Sequence, residues 1–321
     1  EQWADNQLNL KLINHTSIEK ITIKNCSVPI LNIDNLNTLH SIKTLEINNV
    51  KKINLNGISH HPSINQIIID NVEFPEGIEQ ILDLPKLHYL EIRNTLLDET
   101  FIQKLLTKGN KLYSLKLSNN NIKDINFLKK LKNLRVLEIS ASNTIDFSPL
   151  SHTTNLININ LSNSNFSKLE FLINNDKLET LNLTNVSIDS IKNISNFSYL
   201  KELSIENCKV NDLEEISQLK KLEFLNIKYL SSSSLYFLND LEELKELFVS
   251  NIKDEDIGIL KRIQYEYNLW KTHLHFSSIL TNSFIGTLAP PLVVDTFNVN
   301  DDEVLDEFQF EDLLRNMGFL K

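Results

Sequence analysis

The stretch Leu112-Tyr113-Ser114-Leu115-Lys116-Leu117-Ser118-Asn119-Asn120-Asn121-Ile122 decides the fold of this chain. Leucines stand at its first, fourth and sixth positions, a polar residue at the ninth and an apolar one at the eleventh. The same template restarts at Ile18, Ile42, Ile64, Leu87, Leu112, Leu134, Leu156, Leu178, Leu200, Leu222 and Leu244. Successive starts are 24, 22, 23 and 25 residues apart and then 22 residues apart six times. All eleven copies are aliphatic at positions one, four and six, which chance does not produce, so a repeat architecture is the first reading.

Within each copy the x-L-x-L-x core alternates with period two, so its leucines point to one side of a short strand and the x residues to the other. One unit cannot bury its leucines alone, but stacked units place them in a continuous core. The expected fold is therefore an α/β solenoid. Parallel strands line the concave face of an arc, and short helical or 3-10 segments such as Ile125-Asn126-Phe127-Leu128 form the convex wall. The longer fourth repeat leaves room for a true helix around Glu99–Leu106.

On these positions the chain resembles the leucine-rich-repeat superfamily across about residues 18–254, and the constant 22-residue period is similar to the internalin and phosphatase-regulator class. The resemblance implies that the concave face recognises a host or partner protein. The chain departs from the family at the ninth position, where an Asn ladder is usual. Here that position holds Cys26, Val50, Val72, Thr95, Asn120, Ser142, Ser164, Val186, Cys208, Leu230 and Ile252. Asn instead occupies the eighth position in nine of the eleven repeats. Apolar contacts are accordingly expected to pack the turn after each strand more than a buried amide ladder does. The high overall Asn content reads as compositional.

Three segments follow from this register: residues 1–17 as an N-terminal cap, 18–254 as eleven repeats, and 255–321 as a C-terminal cap with an acidic amphipathic tail. Asp254-Glu255-Asp256 should open a helix with Ile257, Leu260, Ile263 and Tyr267 on one face, and a degenerate further strand is expected around Leu274. Residues 301–312 carry seven acidic side chains, with Phe308, Phe310, Leu313, Leu314 and Met317 interleaved. This segment reads as a last amphipathic helix packed back on the array, or as an interaction segment that folds onto a partner.

Chemistry-bearing patterns are weak throughout. His273 and His275 share a strand face without a third ligand at a recognisable spacing, and His60-His61 before Pro62 is expected to meet solvent. No phosphate-binding Gly-rich loop, nucleophile elbow or calcium loop is present. No catalytic residue, metal site or cofactor is therefore expected. Cys26 and Cys208 lie eight strand spacings apart in the register, too far for a disulfide, and read as structural thiols in small inward sites. The sequons, Asn14 and Asn182 among them, read as accidental.

A net charge of -10 argues against nucleic acid, which needs clustered Lys and Arg, and is compatible with a basic protein partner. No apolar run reaches the ~18 residues of a membrane span. The chain opens Glu1-Gln2-Trp3 without Met or a signal-like stretch, so its start is read as processed or as a boundary. The compartment stays open between a reducing cytosol and secretion without disulfides, and a monomer apart from its partner is expected.

Specificity should lie at the outward third, fifth and seventh strand positions. Repeats seven and eight are bland there, with Asn158, Asn160, Ser162, Thr180, Asn182 and Thr184. Repeats three and four present Ile68, Asp70, Tyr89, Glu91 and Arg93. Repeats ten and eleven present Phe224, Asn226, Lys228 and Phe248, with Tyr229 at the eighth position and Glu202, Glu206 and Glu246 flanking. Aromatic residues and Arg are typical interface anchors. The candidate partner-binding residues are thus Phe224, Asn226, Lys228, Tyr229, Phe248, Ile68, Tyr89 and Arg93, in a non-catalytic recognition module of the effector, adhesin or inhibitor kind. The alternatives are a regulator of an enzyme such as a protein phosphatase, and a carrier for a small functional C-terminal module.

Overall fold

The computed structural model describes residues 17–26, 30–230, 234–250, 256 and 259, and the backbone of 271–275. The expected N-terminal cap, the helix face at Ile257, Leu260, Ile263 and Tyr267, and the acidic tail lie outside the described residues.

Each leucine-bearing core forms a strand of a parallel sheet. In the first compact unit, residues 1–165, the strands are β1 (Lys20–Lys24), β2 (Leu31–Asn32), β3 (Thr44–Asn54), β4 (Gln66–Glu76), β5 (Tyr89–Arg93), β6 (Ser114–Lys116), β7 (Val136–Glu138) and β8 (Asn158–Asn160). They lie in chain order, except that β2 pairs beside β3 rather than between β1 and β3. In the second unit, residues 166–321, β9 (Thr180–Asn182), β10 (Glu202–Ser204), β11 (Phe224–Ile227), β12 (Glu246–Ser250) and β13 (Lys271–His275) follow in sequence order. The expected strand around Leu274 is β13, which pairs parallel to β12 with Val249 opposite Leu274.

Register follows the template: equivalent positions of neighbouring repeats stand side by side, as Leu115 does beside Leu137 and Leu203 beside Leu225. The first, fourth and sixth positions are buried from Ile42 onward. The opposite wall is made of 3-10 turns such as Asn126–Lys130, Ser148–His152 and Leu213–Gln218, and Phe101, Phe127, Phe166 and Phe197 are fully buried beneath it. Burial of a side chain this size stabilises by about 1.5–3 kcal/mol, so the aliphatic rows and these rings hold the array together. The longer fourth repeat spends its extra residues on α1 (Glu99–Lys108), whose Asp98 cap accepts from the Phe101 N–H at 2.8 Å.

Four expectations need correction. The segments after Asn49 and Asn71 do not turn into helical pieces: β3 and β4 run for eleven residues, pairing Val50 with Val72 and Lys52 with Phe74. The β-branched and aromatic residues Val50, Ile53, Val72 and Phe74 favour the extended backbone there, and Gly57 and Gly77, at φ 88° and 71°, turn the chain.

His61 does not meet solvent; it is fully buried, and only His60 is exposed. It stands three residues before Ile64, where the flanking repeats have Leu39 and Leu84. Its Nε2 bonds the Leu39 carbonyl at 3.2 Å, and Nδ1 accepts from the Ser63 and Ile64 N–H groups. Burial pushes its pKa below the ordinary value. Cys208 is an inward thiol as expected, whereas Cys26 is only half-buried.

The fourth correction concerns Asn. The eighth position is left-handed in every described repeat, with φ between 49° and 58° from Asn25 to Tyr229. Asn tolerates that region better than other residues with a Cβ, so its recurrence has a conformational cause. The side chains also bond one another: Asn49 donates to Asn25 (3.0 Å), Asn71 to Asn49 (2.8 Å), Asn119 to Asn94 (2.6 Å) and Asn207 to Asn185 (2.7 Å). The amide ladder has thus moved one residue outward. The ninth position holds both apolar and polar buried side chains: Val50, Val72, Val186, Cys208 and Leu230 beside Thr95, Asn120, Ser142 and Ser164. In one relay the Val72 N–H donates to Thr95 and the Thr95 N–H to Asn120.

Candidate functional site

In the second unit, strand pairing places Glu202, Phe224 and Glu246 side by side in the third-position row, and Ser204, Asn226 and Phe248 in the fifth. Phe224 and Phe248 are half-buried, and their ring centroids stand 5.2 Å apart at 45°, within the range of favourable aromatic pairs. Lys228 Nζ lies 5.5 Å from the Phe248 centroid, a cation–π contact. Asn226 turns inward on its neighbours, donating to Glu206 at 2.7 Å and accepting from the Lys228 N–H at 3.3 Å. It positions the cluster more than it offers a free amide. Tyr229 is 44% exposed and stands at φ 58°, with its N–H donated to Ser250 Oγ at 2.6 Å. A bulky residue in this region is strained, where Asn serves elsewhere.

The first unit arranges the same residue types differently. Tyr89, Glu91 and Arg93 project from β5, and Glu91 is buried. Its carboxylate accepts from the Tyr89 hydroxyl and from Arg93 Nη2, and Lys116 Nζ stands 3.7 Å away. Burial, then the bond to Glu91, pushes the Tyr89 phenol well above its ordinary pKa. Lys116 lies 5.9 Å from the Tyr89 ring centroid, and Asp70 accepts from Asn94 at 2.7 Å. Ile68, half-buried, stands opposite Glu91 on β4. Further along the same face Glu46 accepts from Lys20 (2.7 Å) and Asn48 (2.7 Å) with Lys24 at 3.3 Å, and these bonds, that of Lys20 first, hold its pKa at about 2. The sequence reading presented Glu91 as an exposed group; the structure covers it with its own neighbours.

The bland middle positions also have internal work. Asn160 accepts from the Ser162 N–H and Asn182 from the Thr184 N–H, closing short turns at the strand ends. Among the described residues, no three His, Cys, Asp or Glu side chains gather as metal ligands, and no helix is long and apolar enough to cross a membrane.

A parallel sheet built from equivalent positions of a 22-residue repeat, with a wall of 3-10 turns opposite, defines a repeat solenoid. The leucine-rich-repeat family model (two copies) matches residues 111–152. An internalin, InlF of Listeria monocytogenes, superposes with a TM-score of 0.60 at 20% identity, covering 82% of this chain and 83% of that one. A leucine-rich-repeat protein of Leptospira interrogans gives 0.59 at 18% identity, covering 77% and 70%. The ectodomain of the Arabidopsis thaliana receptor kinase GASSHO1/SCHENGEN3 gives 0.53 at 16%, covering 82% of this chain and 34% of that one. No curated protein matches in sequence. Residues 111–152 match the leucine-rich-repeat model, and the fold of the chain is similar to that of the internalin InlF.

Proposed function

We propose that this chain is a non-catalytic protein-recognition module whose partner seats on the outward face of the sheet at β11 and β12. The observation that carries this reading is the half-exposed Phe224–Phe248 pair on adjacent strands, with Lys228 and the strained Tyr229 beside it. Large aromatic side chains on a rigid sheet supply contact area at low entropic cost and are the residues that dominate binding energies. Strain at an outward residue is an additional sign, since a conformation costing about 1 kcal/mol persists where the side chain serves a purpose. Fold analogy lends support: the receptor-kinase ectodomain of the same fold is in complex with Casparian strip integrity factor 2.

The test is a titration of a partner captured from the native source against the double variant Tyr229→Ala/Phe248→Ala. A loss of about 2 kcal/mol, roughly thirty-fold in affinity, is expected with little change in thermal stability. Unchanged affinity would reject β11–β12 as the interface.

A further inference from the structure

We infer that the partner surface seated here is basic, with an arginine or lysine side chain stacked on Phe224 between Glu202 and Glu246. This rests on the reading that the β11–β12 cluster is the interface. Two carboxylates flank one aromatic ring in the third-position row, one on each neighbouring strand, about 4.8 Å away in the pairing direction. Glu206, two residues past the end of β10, adds a third charge.

The second position of the same strands shows how the chain pairs charges that serve stability. There Lys201 stands 2.9 Å from Glu179, and Lys245 bonds Glu223. At the third and seventh positions, on the face, no cation lies within ion-pair distance of Glu202 or Glu206 among the described residues. Glu202 receives only the Thr180 hydroxyl at 3.4 Å, and Glu206 the Asn226 amide. Among the described residues, Glu202 and Glu206 thus hold like charges beside an aromatic surface without an ion-pair partner. A cation over the ring would meet both the negative π face and a carboxylate at its edge. Phe248, the other half of the pair, already has such a cation in Lys228. In the register, Lys271 follows Glu246 in the third-position row on β13. The incoming basic group therefore belongs on the β10–β11 side, over Phe224.

The experiment titrates the full chain with a fluorescein-labelled hexa-arginine peptide at two salt concentrations, using hexaglutamate as the control. Glu202→Gln/Glu246→Gln should weaken hexa-arginine binding about tenfold. Glu179→Gln/Glu223→Gln, which removes the same net charge from the second-position row, should change it less than twofold. Phe224→Leu, which keeps the carboxylates and the volume, should lose about threefold. Equal weakening by both double variants, or indifference to Phe224→Leu, overturns the assignment, because overall charge then explains the binding. If a captured partner is lost with Tyr229→Ala/Phe248→Ala while hexa-arginine fails to distinguish the double variants, the interface stands and only the basic chemistry is wrong. If the captured partner ignores both aromatic and acidic variants, the interface itself is wrong.

Discussion

Tyr89 and Phe224 occupy the same third strand position in two different repeats, and their surroundings have little in common. Around Tyr89 the charges are paired within the chain: Glu91 holds Tyr89, Arg93 and Lys116, and Asp70 holds Asn94, although the buried Arg93 Nε has no hydrogen-bond partner among the described residues. Around Phe224, among the described residues, the ring pairs with Phe248 and the flanking Glu202 keeps no cation within ion-pair distance. A network of paired charges gains rigidity and leaves little charge for a partner to complete. An open one bears the cost of like charges and strain, and keeps interaction capacity for an incoming surface. Composition alone makes the two patches look alike; only the pairing of their charges separates a structural cluster from a recognition surface.

That contrast is open to direct attack. Its largest expected effect lies at Glu91, where replacement by Ala leaves Arg93, Lys116 and the Tyr89 hydroxyl without their shared acceptor. Urea unfolding should show a loss of about 2 kcal/mol, less than for a wholly buried ion pair because Arg93 keeps access to water. The matched change Glu202→Ala should alter stability by less than about 0.5 kcal/mol. Comparable losses at the two sites would erase the distinction drawn between the clusters.

Mild acid provides a second lever. His61 has a lowered pKa in the folded first unit, so below its ordinary value of about 6.5 the unfolded chain binds the proton more readily. Stability is intact above that value and falls as pH drops through it towards the folded pKa, by up to about 1.4 kcal/mol per pH unit. Residues 166–250 hold no histidine. Hydrogen exchange at pH 7 and pH 5 should therefore show amides around β3 and β4 losing protection before those of β10 and β11. His61→Leu, which installs the residue of the flanking repeats, should flatten that difference; a difference that survives the substitution would point to another titrating group.

Smaller effects come from the left-handed position. Tyr229→Asn should raise stability by about 1 kcal/mol by relieving strain, while weakening partner capture, so a melting curve and a titration should move in opposite directions. Ala141→Asn, in the gap of the ladder between Asn119 and Asn163, should gain about 0.5 kcal/mol and leave binding unchanged. A variant in which both properties move together would tie the ladder to recognition instead.

The strand register was legible because burying three aliphatic positions per repeat forces a fixed period, and even the degenerate strand at Lys271–His275 emerged from it. The left-handed role of Asn was not, because a backbone dihedral leaves no mark in composition. It was available only by asking why one residue type recurs at the eighth position. His61 was misplaced by its neighbours His60 and Pro62, although alignment of the repeats three residues before each first position sets it in a column with Leu39 and Leu84. The Glu91 network was partly readable, since Glu91 and Lys116 share the fifth position of adjacent repeats. Tyr89 and Phe224 still looked equivalent, because a list of outward residues does not say which of them neutralise each other.

The outer amide ladder has a consequence for how such a chain can grow. Its rungs join asparagines 24, 22, 25 and 22 residues apart at nearly constant separation. The extra residues of the fourth repeat are therefore taken up on the far wall, where they become α1. Where a rung is intact, a duplicated or deleted unit would meet the same left-handed position at its junction. The ladder acts as a gauge that makes whole repeats interchangeable parts, while single-residue insertions are free to drift on the opposite side.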